Sequence, residues 1–124
     1  MMEKSMAVWF EIPVVDMERA AKFYGAVMGF EVRVETMYGE EMGFFPTEGW
    51  ANGGALTKMG AASPSDQGVV VYLNGGSDLQ RMLDRVEPAG GKVLVPKTKI
   101  SDEVGYYAFF LDTEGNRLAL HSNG

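Results

Sequence analysis

The apolar positions at the start of the chain change from alternation to helical spacing. Over residues 7–14 every second residue is strongly apolar, which predicts a strand with one buried face. From Met17 to Met28 apolar residues recur at the spacing of an amphipathic helix. Asp16 is a favourable N-cap residue, and Gly29 is typical of the residue that follows a helix. The chain therefore opens with one strand that runs into one helix.

The rest of the chain repeats this order of elements after a linker. In the first half, further short strands are predicted over residues 30–36, 41–45 and 53–59. Residues 60–67, rich in Ala, Ser, Pro and Gly, are the best linker in the chain. The second half predicts a strand, a helix and three strands, over residues 69–73, 79–86, 92–95, 106–111 and 116–121. Ser77 or Asp78 is expected to cap the second helix, and residues 97–105 are expected to form a polar loop.

The two halves indicate an internal duplication. Each half reads as strand, helix, strand, strand, strand in about 60 residues. At an offset of 62 residues, three residues of the first half recur in the second: Asp16, Arg19 and Gly29 match Asp78, Arg81 and Gly91. We therefore predict an α+β fold in one domain over residues 1–124, built from two tandem βαβββ modules at about residues 6–60 and 67–123.

Composition and charge narrow the classes of function. The net charge of −6 and the absence of a basic patch argue against nucleic acid and against a membrane surface as partners. No apolar run approaches the length of a membrane span, and no signal peptide is recognisable. The chain has no cysteine, which excludes disulfides and thiol catalysis. We expect a cytoplasmic protein.

One residue of the opening strand is unusual. Glu11 lies in the middle of an apolar strand, where a carboxylate is costly unless it faces water, a ligand or a partner. Much of the question of function therefore depends on what Glu11 faces.

Three passages carry a resemblance to a known family. They are residues 10–24, with FEIPV followed by Asp16, Glu18-Arg19 and Phe23-Tyr24; residues 89–93, AGGKV; and residues 110–117, FLDTEGNR. Together they resemble the vicinal oxygen chelate superfamily of glyoxalase I, bleomycin-resistance proteins and extradiol dioxygenases, and in particular its lactoylglutathione-lyase-related branch. The resemblance implies two modules whose curved sheets form a pocket, with the helices outside, and a homodimer in which subunit pairing often completes the pocket.

The family resemblance also implies where a metal would be bound. Metal-using members place His, Glu or Gln on the first and last strands of each module. The corresponding positions here are Trp9, Ala55, Ala119 and a residue near Val70, and residues 68–73 contain no His, Glu, Asp or Gln. We therefore expect no metal ligands and no cofactor. A divalent metal held by Glu11 and His121 remains a disfavoured alternative, because two donors make a loose site.

A polar row lies one step along the same strands. Because side chains repeat every two residues on a face, Glu11, Thr57, Tyr72 and His121 should share the face of those four positions. Glu11 and His121 are the candidate catalytic pair, since a carboxylate can orient an imidazole or accept its proton. Tyr72 and Thr57 are candidate ligand-binding residues through hydrogen bonds.

Two tryptophans complete the candidate site. Trp9 and Trp50 are candidate ligand-binding residues, and Trp9 is suited to stacking on a flat ligand. The groups Met37-Tyr38 and Met42–Phe44 are candidates for an adaptable apolar pocket lining. Structural alternatives remain for each: His121 as a surface residue, Glu11 paired with a Lys or Arg or placed at a dimer seam, and the tryptophans as core or dimer packing.

Three functions are compatible with these residues. The first is a glyoxalase/bleomycin-resistance-like protein that binds a small molecule in a pocket without the usual metal ligands. The second is a lyase or isomerase of the glyoxalase I type, without the standard metal triad, that acts with Glu11 and His121. The third is a subunit whose partner supplies the missing function.

Overall fold

Two α-helices and eight β-strands are present in the described residues of the computed structural model, which are residues 6–47, 53–58 and 62–124. In chain order they are β1 (Trp9–Pro13), α1 (Met17–Met28), β2 (Arg33–Met37), β3 (Glu40–Phe44), β4 (Gly53–Thr57), β5 (Tyr72–Asn74), α2 (Gln80–Val86), β6 (Lys92–Ser101), β7 (Gly105–Leu111) and β8 (Arg117–Ser122). Neither helix is long and apolar enough to cross a bilayer.

The strands form two four-stranded sheets with the same connectivity. Their orders are β1-β4-β3-β2 and β5-β8-β7-β6. In each sheet the first pair is parallel and the other pairs are antiparallel. The parallel pair places the first and last strands of each βαβββ unit side by side, with the helix between them in sequence. The predicted α+β fold with two βαβββ modules is confirmed.

Local capping explains where α1 begins and ends. The Asp16 side chain accepts a hydrogen bond of 3.0 Å from the backbone N–H of Arg19, as an N-cap should. Gly29 adopts a left-handed conformation with φ of 80°, which satisfies the end of the helix without a steric penalty. Both predicted boundaries of α1 are confirmed.

One hydrophobic core joins the two modules. Phe23 of α1 and Phe110 of β7 have ring centroids 6.0 Å apart, so α1 of one module contacts a strand of the other within this core. On β1, Phe10 and Ile12 point into this core, whereas Trp9 and Glu11 are exposed. Each sheet thus has one face against the helices and an opposite face, which we call the helix-free face.

Several predicted boundaries are wrong; strand β2, for example, begins at Arg33 and not at residue 30. Strand β6 continues to Ser101, so the first half of the predicted loop at 97–105 is strand, in a hairpin with β7 that tolerates polar residues because β6 is a bulged edge strand. Strand β5 covers Tyr72–Asn74 and not 69–73, because β8 pairs with only these three residues. The N-cap position of α2 is Leu79, although the Asp78 carboxylate accepts the N–H of Gln80 at 3.0 Å.

A carboxylate in the turn after β7 caps the strand–helix junction of the first module. Glu114 Oε1 accepts the backbone N–H groups of Val15 and Asp16, both at 2.8 Å. The Arg19 guanidinium donates to both Glu114 oxygens, at 2.7 and 3.0 Å. These four hydrogen bonds bind the two modules together at the N-terminus of α1, where the helix dipole also favours a negative charge.

A buried polar group lies beside this carboxylate. Tyr24 donates a 2.7 Å hydrogen bond to Asp112 Oδ2, and Asn116 Nδ2 donates to Asp112 Oδ2 at 2.9 Å. Asn116 Nδ2 also donates to the backbone carbonyl of Pro13 at 2.8 Å. Burial raises the pKa of Tyr24 well above its ordinary value, and the negative charge of Asp112 raises it further. Tyr24 is therefore a permanent donor, and Asn116 ties the end of β1 to the second module.

The pKa of Glu114 reflects the strength of its contacts. Burial of the side chain, which is fully covered, would by itself raise this pKa. The hydrogen bonds from Arg19, from the amides of Asp16 and Val15 and from Thr113 outweigh burial and hold the pKa at about 2, below the ordinary 4.5. Stabilisation by the ionised group is therefore complete above pH 4.5 and is lost as the pH falls towards 2.

We predict that Glu114→Gln lowers the free energy of unfolding by roughly 1–2 kcal/mol at neutral pH, a figure that allows for screening of the half-exposed Arg19. The difference between wild type and variant should close as the pH falls from 4.5 to about 2. Urea unfolding of both proteins at a series of pH values measures this difference in the free energy of unfolding. Glu103→Gln, at an exposed position, is the control. A difference that does not change with pH would contradict this role of Glu114.

Candidate functional site

The helix-free face of the first sheet brings Trp9 and Glu11 together. The register places Trp9 opposite Gly53, and Glu11 opposite Ala55, so all four lie in one patch of that face. The Trp9 indole N–H donates to a Glu11 carboxylate oxygen at 3.3 Å. This contact orients the indole and gives the unusual strand carboxylate one polar partner.

A cavity of about 660 Å³ opens beside Trp9. One wall is aromatic, with the Trp9 and Phe44 rings 6.4 Å apart and inclined by 52°. The Arg33 guanidinium lies over the Phe44 ring at 5.2 Å and pairs with Glu35 at 2.8 Å. Met37 and Pro46 add apolar surface to the lining. The site therefore offers flat rings beside an arginine whose charge Glu35 balances.

The second sheet places Tyr72 and His121 on its own helix-free face. Tyr72 pairs with Ala119 on β8, and His121 lies opposite Tyr107 on β7. His121 Nε2 lies 2.6 Å from the backbone carbonyl of Val104, so this nitrogen carries the proton. Tyr72 is 54% exposed.

The structure separates the proposed catalytic pair between the two sheets. In the described part of the chain, no hydrogen bond or ion pair joins Glu11 to His121; Glu11 contacts Trp9, and His121 contacts Val104. Joint catalysis by Glu11 and His121 stays a prediction. Thr57 lies on the same face as Glu11 but is buried. Trp50 lies outside the described residues.

The residues at the family's metal positions do not fit a metal. Ala55 and Ala119 are fully buried methyl groups, and neither they nor Trp9 and Val70 carry a donor atom that binds metals. Within residues 6–47, 53–58 and 62–124, no three His, Asp or Glu side chains cluster as a ligand set would.

Two arginines of this region were missed by sequence reasoning. Arg33 had only the alternation of residues 30–36 as a signal, which placed it on the polar side of a strand. Arg117 follows the predicted turn at 112–115, and nothing local marks its role. It donates to the Gly68 carbonyl at 2.8 Å and lies 6.0 Å from the Phe109 ring centroid.

The chain is similar to known proteins over most of its length. A family model described as Glyoxalase/Bleomycin resistance protein/Dioxygenase superfamily matches residues 7–120. A protein of Didymella fabae described as "Glyoxylase-like domain-containing protein" is 33% identical over 115 residues, which cover 89% of this chain and 88% of the relative. The sequence match therefore extends over both modules.

Solved structures with less sequence identity share the fold. A glyoxalase/bleomycin resistance protein from Albidiferax ferrireducens T118 has a TM-score of 0.78 at 18% identity, covering 97% of this chain and 100% of that one. TnmS3, described as an antibiotic binding protein from Streptomyces sp. CB03234, has a TM-score of 0.64 at 23% identity, with complete coverage of both chains. At these identities the likeness establishes the fold alone.

The contact between His121 and Val104 predicts one tautomer. Because Nε2 donates to a carbonyl, neutral His121 should carry its proton on Nε2 and leave Nδ1 as the acceptor. The ¹⁵N chemical shifts of the imidazole ring in the folded protein test this, with the urea-unfolded chain as the reference. Predominance of the Nδ1–H form in the folded protein would contradict the contact.

Proposed function

Because the chain belongs to the Glyoxalase/Bleomycin resistance protein/Dioxygenase superfamily, we propose that it binds a small, flat organic molecule in the cavity beside Trp9. The observation that carries this proposal is the aromatic wall that Trp9 and Phe44 form at the edge of the cavity. A flat ligand would stack on the indole, whose orientation the Glu11 carboxylate supports.

The dimensions of the cavity suit such a ligand. Sites for small molecules usually measure about 300–1,000 Å³ and are lined mostly by apolar and aromatic groups with a few polar ones. The cavity of about 660 Å³ lies within this range. Met37 adds a flexible apolar side chain that adapts to ligands of different outline.

Charges around the cavity favour a neutral or cationic ligand. Glu31 and Glu35 both line it, and Arg33 forms an ion pair with Glu35. One carboxylate therefore remains without a cation of its own among these three side chains. The net charge of −6 adds a weak long-range attraction for cations, which salt reduces.

The relatives support small-molecule binding without naming a ligand. TnmS3 is described as an antibiotic binding protein, and the Albidiferax protein as a glyoxalase/bleomycin resistance protein. The same family name includes glyoxalase, which keeps lyase chemistry as the alternative. The geometry gives that alternative less support, because Glu11 and His121 contact different groups.

We predict that Trp9→Ala weakens binding of planar aromatic cations by about 5- to 30-fold, the loss expected when one stacking and cation–π surface is removed. A thermal-shift screen would identify the compounds, and titration calorimetry would give the affinities. Tyr72→Ala, at an exposed aromatic residue of the other sheet, is the matched control.

Two results would count against the binding proposal. One is equal affinity in wild type and Trp9→Ala, which would place the ligand elsewhere. The other is turnover of methylglyoxal with glutathione that is lost in His121→Ala, which would favour the lyase instead.

A further inference from the structure

A second, smaller cleft lies at the seam between the two modules. Its volume is about 150 Å³. The first module contributes Glu11 and Pro13 of β1, and the second contributes Arg117 of β8. Ser65 and Gln67, which precede β5, also line it. The cleft is distinct from the cavity beside Trp9, although Glu11 is hydrogen-bonded to that tryptophan.

Arg117 brings a positive charge to this cleft. Its Nη2 donates to the Gly68 carbonyl at 2.8 Å, and its guanidinium lies over the Phe109 ring. Its Nε is buried and has no hydrogen-bond partner. A guanidinium has five N–H donors and no acceptor, so Arg117 keeps donors and a positive charge beyond its contact with Gly68 that an accepting, negatively charged ligand group can bind.

Glu11 places a negative charge at the same cleft as the positive charge of Arg117. Both Glu11 and Arg117 line the cleft, yet in the described chain they form no ion pair with each other. The Ser65 hydroxyl oxygen accepts the Gln67 amide at 3.0 Å, which leaves its O–H free to donate. The cleft therefore presents a cation, an anion and a hydroxyl donor within a small volume.

We propose that this cleft binds a small zwitterion, a short aliphatic amino acid whose carboxylate contacts Arg117 and whose ammonium group contacts Glu11. A simple anion would be repelled by Glu11, and a simple cation by Arg117. A ligand with both charges satisfies the guanidinium and the carboxylate together. At about 150 Å³ the cleft is below the usual size range for drug-like ligands, so the bound molecule is short.

The test uses three zwitterions of increasing length: glycine, β-alanine and γ-aminobutyrate. Acetate and ethylammonium each carry one of the two charges and serve as probe controls. The ¹⁵N–¹H signal of the Arg117 side-chain Nε–H, assigned by its loss in Arg117→Lys, reports directly on the group proposed to bind. We expect a saturable shift of this signal with at least one zwitterion.

Two substitutions distinguish binding in the cleft from binding in the cavity beside Trp9. Glu11→Gln, at an exposed position, should weaken zwitterion binding by about tenfold, the effect of losing one charge-assisted contact, and should leave the response to acetate no weaker. Arg33→Lys changes the cavity beside Trp9 but not the cleft, and should leave zwitterion affinity unchanged. Binding of planar aromatic ligands should respond to Arg33→Lys, because Arg33 lines the cavity beside Trp9 and does not line the cleft, so the two proposals fail separately.

The proposal is overturned if no zwitterion shifts the Arg117 signal saturably. It is also overturned if acetate binds wild type as tightly as the best zwitterion, or if Glu11→Gln leaves zwitterion affinity unchanged. Because Glu11→Gln removes a surface charge without removing a packed group, this result does not depend on whether Arg117→Lys folds.

Discussion

The contact between Glu114 and the strand–helix junction is the constraint on which the arrangement of the modules depends. A single carboxylate accepts hydrogen bonds from two adjacent backbone amides and from Nε and Nη2 of Arg19. Beside it, Asn116 holds the last carbonyl of β1. Because these groups come from the second module and their partners from the first, the position of β1 is fixed across the module boundary. The positions of Trp9 and Glu11, on the exposed face of β1, therefore depend on these contacts.

The two candidate binding sites follow from the alternation along β1. Phe10 and Ile12 enter the common core, which leaves Trp9 and Glu11 on the helix-free face. Trp9 forms part of the wall of the larger cavity, and Glu11 lines the cleft that Arg117 closes from the other module. The indole-to-carboxylate hydrogen bond lies between them. A strand that is held firmly at one end thus contributes to two sites of different chemistry.

The sequence alone predicts those features that depend on residues close to one another in the chain. The alternation of β1, the cap at Asp16 and the left-handed Gly29 are local, and all three are present. The length of β6 was missed because its polar residues look like a loop until β7 pairs with them. The role of Glu114 was also missed, since its partners at Val15 and Asp16 are almost a whole chain away. For the site, residue type excluded the usual metal ligands, but only the fold revealed Arg33 beside Phe44 and Arg117 beside the linker.

The most direct test of the account uses the methionine methyl groups as reporters of where a ligand lies. Met37 lines the cavity beside Trp9, whereas Met17 is buried in the core and Met82 packs against that core. In protein labelled with ¹³C at the methionine methyl groups, the tightest-binding planar compound should shift the Met37 signal saturably and leave Met17 and Met82 unchanged. Shifts at Met17 or Met82 without a shift at Met37 would contradict the assignment of the ligand site to the helix-free face of the first sheet.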